Sequence, residues 1–258
     1  MPWTVSHAAA VLPLRRFSPR PLDFAALVVG SMTPDVGYYI GAFDLATLDH
    51  TLAGSFLVGL PIGAGLLLAF YLFCKPFCYV LPQPHRQALL PICPGFDGLR
   101  LVRWPSLLLS LLLGIWTHNF WDAFTHEKGW FVERIAWLRN PVVHVGSATL
   151  GLPFILQIFS TLIGFAIVAT VYNSWLRSQP KRSAAEAESD RWRYLAGLAI
   201  CALALLISLP AAIHAAGAKQ GVLFARAIMF RTAIYAPAIA LPLGLAVACF
   251  VYLRRRPI

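Results

Sequence analysis

Four stretches of this chain, Leu52 to Phe73, Ala148 to Leu176, Tyr194 to Ile213 and Thr232 to Leu253, contain no charged residue. Each has roughly the 20 residues that a helix needs to cross a 30 Å hydrocarbon layer. Backbone in lipid must satisfy its own hydrogen bonds, so stretches of this kind are expected to fold as helices. The rest of the chain agrees: 59% of residues are apolar and 12% charged, where soluble domains average about half and about a quarter. Pro105 to roughly Phe124 reads as a fifth span, apolar until a histidine and an aspartate appear near its end. Phe24 to Phe43 is a sixth, or else a short, broken or re-entrant helix, because Ser31, Thr33, Pro34 and Asp35 interrupt it. The expected fold is all-α, a polytopic transmembrane helix bundle of five or six spans.

Basic residues give the bundle a direction. With six crossings, Arg15, Arg16, Arg20, Lys75, Arg86, Arg100, Arg103, the cations between Arg177 and Arg193, and Arg254 to Arg256 share one side. The positive-inside rule makes that side, and with it the C-terminus, cytoplasmic. If Phe24 to Phe43 does not cross, the first three arginines change sides and the orientation survives more weakly. The N-terminal MPWTVSHAAAVLPLRR puts its arginines after a short apolar patch, the reverse of secretory order, so insertion is expected to rely on internal spans. The net charge of +10 is explained by the cytoplasmic flanks and anionic lipid heads, and calls for no nucleic-acid partner. A helical membrane domain is expected over residues 1–176, a polar cytoplasmic loop over 177–193, and two C-terminal transmembrane helices packing on the same bundle over 194–258. No internal repeat of the transporter kind is evident. Cys74 and Cys78 stand four apart at a cytoplasmic helix end, but the spacing is not CxxC and no second pair follows. They read better as buried or interfacial thiols behaving as small hydrophobes than as metal ligands.

The chemistry concentrates in the first half. His118, Asp122 and His126 follow one another at four-residue steps. Such a step turns a helix by only about 40°, so one face should carry all three. Imidazole and carboxylate at membrane depth are costly unless compensated. A divalent cation compensates both, because neutral His nitrogen and Asp oxygen form the donor set that suits zinc and its neighbours. His7, Asp35 and His50 stand out in the same way against apolar surroundings. Each has a plainer reading: His118 and Asp122 as a polar clasp between helices, Asp35 after Pro34 as a cap or turn former, His50 as an interfacial or capping residue, His126 as a surface histidine. The tryptophans around the motif, Trp116, Trp121, Trp130 and Trp137, fit an aromatic belt at the lipid boundary.

These residues carry a resemblance. MPWTVSHAAAVLPLRR, GSMTPDVGYY, DHTLAG and the GxxTHxxxDxFTHxxG element from Gly114 to Gly129 resemble a bacterial membrane family catalogued as domain of unknown function 4184. The likeness runs over roughly residues 1 to 250 and is silent on substrate. More distantly, the His, Asp, His, HxxxD order is similar to membrane-bound metal-dependent hydrolases and to the zinc-dependent phospholipase C fold. That similarity implies a phospholipase C-like helical metal-site core in which Asp35, His50, His118 and Asp122 ligate a first metal. Asp122 would bridge to a second metal that also takes His7. It further implies that Asp35 doubles as catalytic base. Two features depart from that pattern: no processed N-terminal amine is evident, and His144 is followed four residues on by Ala148 rather than Glu. One or two zinc-type ions are therefore expected rather than three, with His126 as the replacement ligand.

The expected function is a metal-dependent hydrolase of the bacterial inner membrane, acting on a phosphoester or lipid-linked substrate. The alternative is a non-catalytic multi-pass protein, a metal or solute carrier or a scaffold, whose His/Asp cluster fastens helices.

Overall fold

A computed structural model describes residues 3–95, 103–145, 148–180 and 190–255. Most of the expected polar loop, together with Arg100 and Arg256, lies outside these residues. The chain divides into two compact units, Met1–Leu68 with Leu99–Val171, and Ala69–Gly98 with Tyr172–Ile258. Apart from one short β pair, the regular structure described is helical.

The first unit opens with short helical turns, Thr4–His7, Ala8–Val11 and Leu12–Phe17. The Trp3 amide and the Ser6 hydroxyl donate to Thr161, at 3.0 and 2.9 Å, and tie this segment to a later helix. Helix α1, Phe24–Met32, is capped by Asp23, whose side chain accepts from the Ala26 amide and pairs with Arg103 at 2.8 Å. Beyond α1 the chain tightens over Thr33–Asp35, makes one further turn at Val36–Tyr39, and reverses at Gly41 with φ 74° before α2, Phe43–Asp49. Pro34 lacks the amide that a continuing helix needs, and Gly41 adopts a conformation that side chains disfavour. Phe24 to Phe43 is thus the broken segment that its sequence allowed.

After Thr51, which caps the next helix by accepting from the Gly54 amide, helical structure is continuous over Leu52–Val80. It widens to a π turn at Ser55–Gly59 before α3, Leu60–Val80. Helix α4, Trp104–Thr125, packs against α1. A short helix, Trp130–Arg134, and an antiparallel pair, β1 Pro141–Val145 with β2 Ala148–Gly151, lead into α5, Leu152–Arg177. The span expected from Ala148 therefore starts as a helix only at Leu152, because the residues before it are paired as a strand. In the second unit, α6, Arg191–Ala216, and α7, Gly221–Arg255, pack on one another.

Among the described residues four helical stretches are long and apolar enough to cross a membrane: Leu52–Val80, Leu152–Arg177, Arg191–Ala216 and Gly221–Arg254. Large apolar side chains such as Leu57, Leu162, Leu206 and Leu241 stand outward from them, as lipid-facing residues do. These features describe a multi-pass membrane protein. Helix α4 matches them in length but not in apolarity, because its last turns carry His118, Asn119 and Asp122.

One face of α4 is buried along its length: Leu107, Leu111, Ile115, His118 and Asp122 succeed one another at three- and four-residue steps. The stripe that packs the helix thus changes from leucine to ligand chemistry within a single face. Close contact with α1 depends on two glycines. A Cβ on Gly114 would lie 2.6 Å from the Ser31 amide, and one on Gly30 would meet the Leu111 backbone. Such close crossings are how helices associate where lipid removes the hydrophobic drive.

Candidate metal centre

The crossing of α1 and α4 brings the Ser31 carbonyl within 2.8 Å of His118 Nδ1. A carbonyl only accepts, so Nδ1 carries the proton and the Nε2 lone pair faces away from the bond. His50, at the C-terminus of α2, is held in the same way: its Nδ1 donates to the Ala46 carbonyl at 2.7 Å. Asp35 is fixed from the N-terminal turn, where the Thr4 hydroxyl donates to Oδ2 at 2.6 Å and itself lies 2.7 Å from the Tyr39 hydroxyl. These bonds leave His118 Nε2, His50 Nε2 and Asp35 Oδ1 directed at one point, where Asp122 Oδ2 joins them. One donor atom from each of Asp35, His50, His118 and Asp122 lies within 4.8 Å of all the others.

The separations suit a shared cation better than direct bonding. His50 Nε2 is 3.3 Å and His118 Nε2 3.4 Å from Asp122 Oδ2, and His118 Nε2 is 3.6 Å from Asp35 Oδ1. Two ligands each about 2.0–2.1 Å from a tetrahedral ion stand about 3.4 Å apart. All four atoms are buried and have no hydrogen-bond partner. Buried polar atoms are normally paired, so four orphans at one point require an occupant. Among the described residues no Lys or Arg pairs with Asp35 or Asp122. Two buried carboxylates left without a counter-charge would be prohibitive, and one divalent cation cancels both. On donor type, spacing and charge, the residues fit such an ion.

His7 and His126 occupy different positions. His7 stacks on His118, with ring centroids 3.7 Å apart and 17° between planes. Its Nε2, also buried and unpartnered, is 3.4 Å from the other Asp122 oxygen, Oδ1. Asp122 thus presents one oxygen to the four-donor group and the other to His7. Burial holds the His7 imidazole well below its usual range, which keeps the ring neutral with its lone pair available. His126 follows the last helical residue of α4, Thr125, as its extended C-cap, and its Nδ1 still lies 3.3 Å from Asp122 Oδ2. The amide and Nδ1 of His126 both engage the Asp122 carbonyl, at 3.0 and 3.1 Å, so Nδ1 serves the helix end. Its ring centroid is 5.9 Å from that of His50, and burial lowers its pKa to about 4.

Several contributors carry no sequence signal. Ser31 and Ala46 act through backbone carbonyls, which any residue supplies. Asp49, next to His50, is buried with an unpartnered Oδ1, and burial raises its pKa to about 6. Asn119, nearly two turns before the end of α4, donates to the Asp49 carbonyl and to Ser55 Oγ, tying α4 to the π turn. Thr4 could have been noticed only as a hydroxyl three residues before His7. Replacing Thr4 by Val keeps the volume but leaves Asp35 Oδ2 without its donor. Thermal unfolding of that variant should show a loss of about 1.5–3 kcal/mol, the range for a hydrogen bond to a charged group.

The family described as domain of unknown function (DUF4184) matches this chain over residues 1–251. No curated protein and no solved structure matches it.

Proposed function

The chain belongs to the DUF4184 family, and from that footing we propose that it is a membrane-embedded, metal-dependent hydrolase of phosphoester or lipid-linked substrates. The observation that carries this reading is the convergence of four buried, unpartnered donor atoms, two of them carboxylate oxygens, with no Lys or Arg paired to them among the described residues. A divalent cation of the zinc class, when bound, supplies Lewis acidity that activates water and neutralises charge developing on a phosphoryl or acyl oxygen. Asp35, His50, His118 and Asp122 would hold it. The Oδ1 side of Asp122, with His7, would serve a second ion. His126 stands close enough to the group to act as a reserve ligand.

The chain's own part in the reaction follows from its hydrogen bonds. Thr4 donates to Asp35 Oδ2, which fixes the carboxylate with Oδ1 toward the other donors, where Asp35 would act both as ligand and as the base that the resemblance implies. The Ser31 and Ala46 carbonyls keep His118 and His50 in one tautomer and orientation, as partners of metal-ligating histidines do. The phospholipase C-like likeness, read from the His, Asp, His, HxxxD order, supports the same roles. For the setting, we place α4 as a fifth crossing and Phe24 to Phe43 as a sixth or re-entrant element in the bacterial inner membrane. The C-terminus is then cytoplasmic by the positive-inside rule. Residues 194–258 then supply two further spans, after a polar cytoplasmic loop over 177–193.

A polar clasp without metal is disfavoured by the same distances. Such a clasp would be hydrogen-bonded, whereas the Nε2 atoms of His7, His50 and His118, each 3.3–3.4 Å from an Asp122 oxygen, are unpartnered. The test is hydrolysis of a panel of phosphodiesters and lipid phosphates by detergent-purified protein. Activity should vanish on chelation, return with zinc or manganese, and be absent in Asp35→Asn. A fully metal-loaded protein inert on the whole panel would remove the catalytic reading and leave a storage or carrier role.

A further inference from the structure

The second unit contains a donor cluster that the His/Asp centre does not use. Cys74 and Cys78 lie one helical turn apart on α3, so their side chains share a face. The chain leaves α3 at Val80, passes through the short helix His85–Leu89 and the turn Leu90–Ile92, and returns with Cys93. There Cys93 Sγ comes within 2.7 Å of Cys74 Sγ, and the three sulfurs all lie within 4.8 Å of one another. Cys78 and Cys93 are buried, and Cys74 is partly so. Cys74 and Cys78 are the half-buried and buried thiols expected of them, and the fold adds a third beside them. The third thiol was hidden because it arrives from a separate turn at no motif spacing.

We propose that Cys74, Cys78 and Cys93 form a second metal site, a three-thiolate seat for a thiophilic divalent cation of the zinc type. With Zn–S near 2.3 Å, thiolates around a tetrahedral ion stand about 3.8 Å apart, so the observed cluster needs only small side-chain adjustments. Three soft donors from two chain segments select zinc-type ions over magnesium or calcium, which take oxygen. The fourth position is open to solvent or a fourth donor. His85 Nδ1 and the Tyr172 hydroxyl, 2.7 Å apart with stacked rings, belong to the same unit, and Tyr172 is within electrostatic reach of Cys78. The flanking Lys75 and Arg86 belong to the basic side that the proposed topology makes cytoplasmic, where thiols stay reduced. A metal there would lash the α3 end to the turn at Cys93.

The test titrates Co2+ into reduced, full-length protein in detergent. Thiolate ligation produces sulfur-to-cobalt charge-transfer absorption, which the His/Asp centre cannot give. The band should appear in wild type, in His118→Ala and in Cys201→Ser, and Zn2+ should displace it. In Cys78→Ser and Cys93→Ser, affinity should fall by about 100-fold or more, beyond the effect of outer-shell changes. In wild type alone, Zn2+ should protect three of the five cysteines from maleimide, counted by intact mass, a readout that needs no variant to fold. Absence of the band from reduced wild type, its persistence in both Cys78→Ser and Cys93→Ser, or a Cys74–Cys93 disulfide in protein isolated with reductant would each overturn the site. Because the band is specific to sulfur, failure here leaves the His/Asp centre untouched, and the reverse also holds.

Discussion

Asp122→Ala should emerge from detergent purification with only trace transition metal, where the wild type carries about one equivalent or two. Asp122 is the common partner of the cluster: Oδ2 lies 3.3 Å from His50 Nε2 and 3.4 Å from His118 Nε2, and Oδ1 lies 3.4 Å from His7 Nε2. Its removal deletes one ligand, halves the negative charge that holds a divalent ion, and severs the link to His7. Outer-shell changes already cost metal sites about 10–100-fold in affinity. Loss of a charged ligand should therefore cost about 1,000-fold, or roughly 4 kcal/mol. His118→Ala should behave similarly, since it removes the one imidazole that faces both carboxylates. Thermal unfolding with and without a chelator separates this reading from the clasp. Ligand bound only to the folded state raises its stability, so chelation should lower the wild-type midpoint and leave that of Asp122→Ala unchanged. Equal trace metal in all three proteins, with a wild-type midpoint indifferent to chelator, would abandon the centre.

The parts of this architecture that could be read from sequence are those enforced residue by residue. Lipid imposes a length and forbids charge, so the long helices announce themselves in runs such as Thr232 to Leu253. The step from His118 to Asp122 announces a shared face because the helix turns by a fixed angle. What escaped depends on contacts between distant segments or on backbone groups. No pattern in residues 31 and 46 says that their carbonyls orient His118 and His50. His126 keeps the four-residue step to Asp122, 3.3 Å from Oδ2, but the end of α4 one residue before it, which turns its Nδ1 to the Asp122 carbonyl as well, has no signal in that spacing. Ala148 to Gly151 is apolar enough to extend a span, yet it pairs as a strand instead. Cys93 joins Cys74 and Cys78 only because the chain turns back after α3.

The glycine crossing should be as decisive as any ligand, although neither Gly30 nor Gly114 touches the cluster's donor atoms. A Cβ at Gly114 would be 2.6 Å from the Ser31 amide and 2.8 Å from the Gly30 carbonyl carbon, and both are backbone atoms. Rotamer changes cannot relieve a clash between backbone and Cβ, so the two helices must separate or slide. Gly114→Val should destabilise the protein by about 3 kcal/mol or more, at or beyond the upper end of ordinary overpacking. The same displacement carries the Ser31 carbonyl away from His118 Nδ1 and releases the imidazole that the bond orients. Metal affinity should therefore fall with stability, by about 10–100-fold as for loss of any outer-shell partner. Gly65→Ala is the matched control: it lies in α3, and nothing stands within 4 Å of the added carbon. Alanine there should be neutral or slightly stabilising, since glycine is the poorer helix former by about 1 kcal/mol. Unfolding midpoints and metal content for the two variants decide the matter. If Gly114→Val retained both, close contact between α1 and α4 would not be what positions His118.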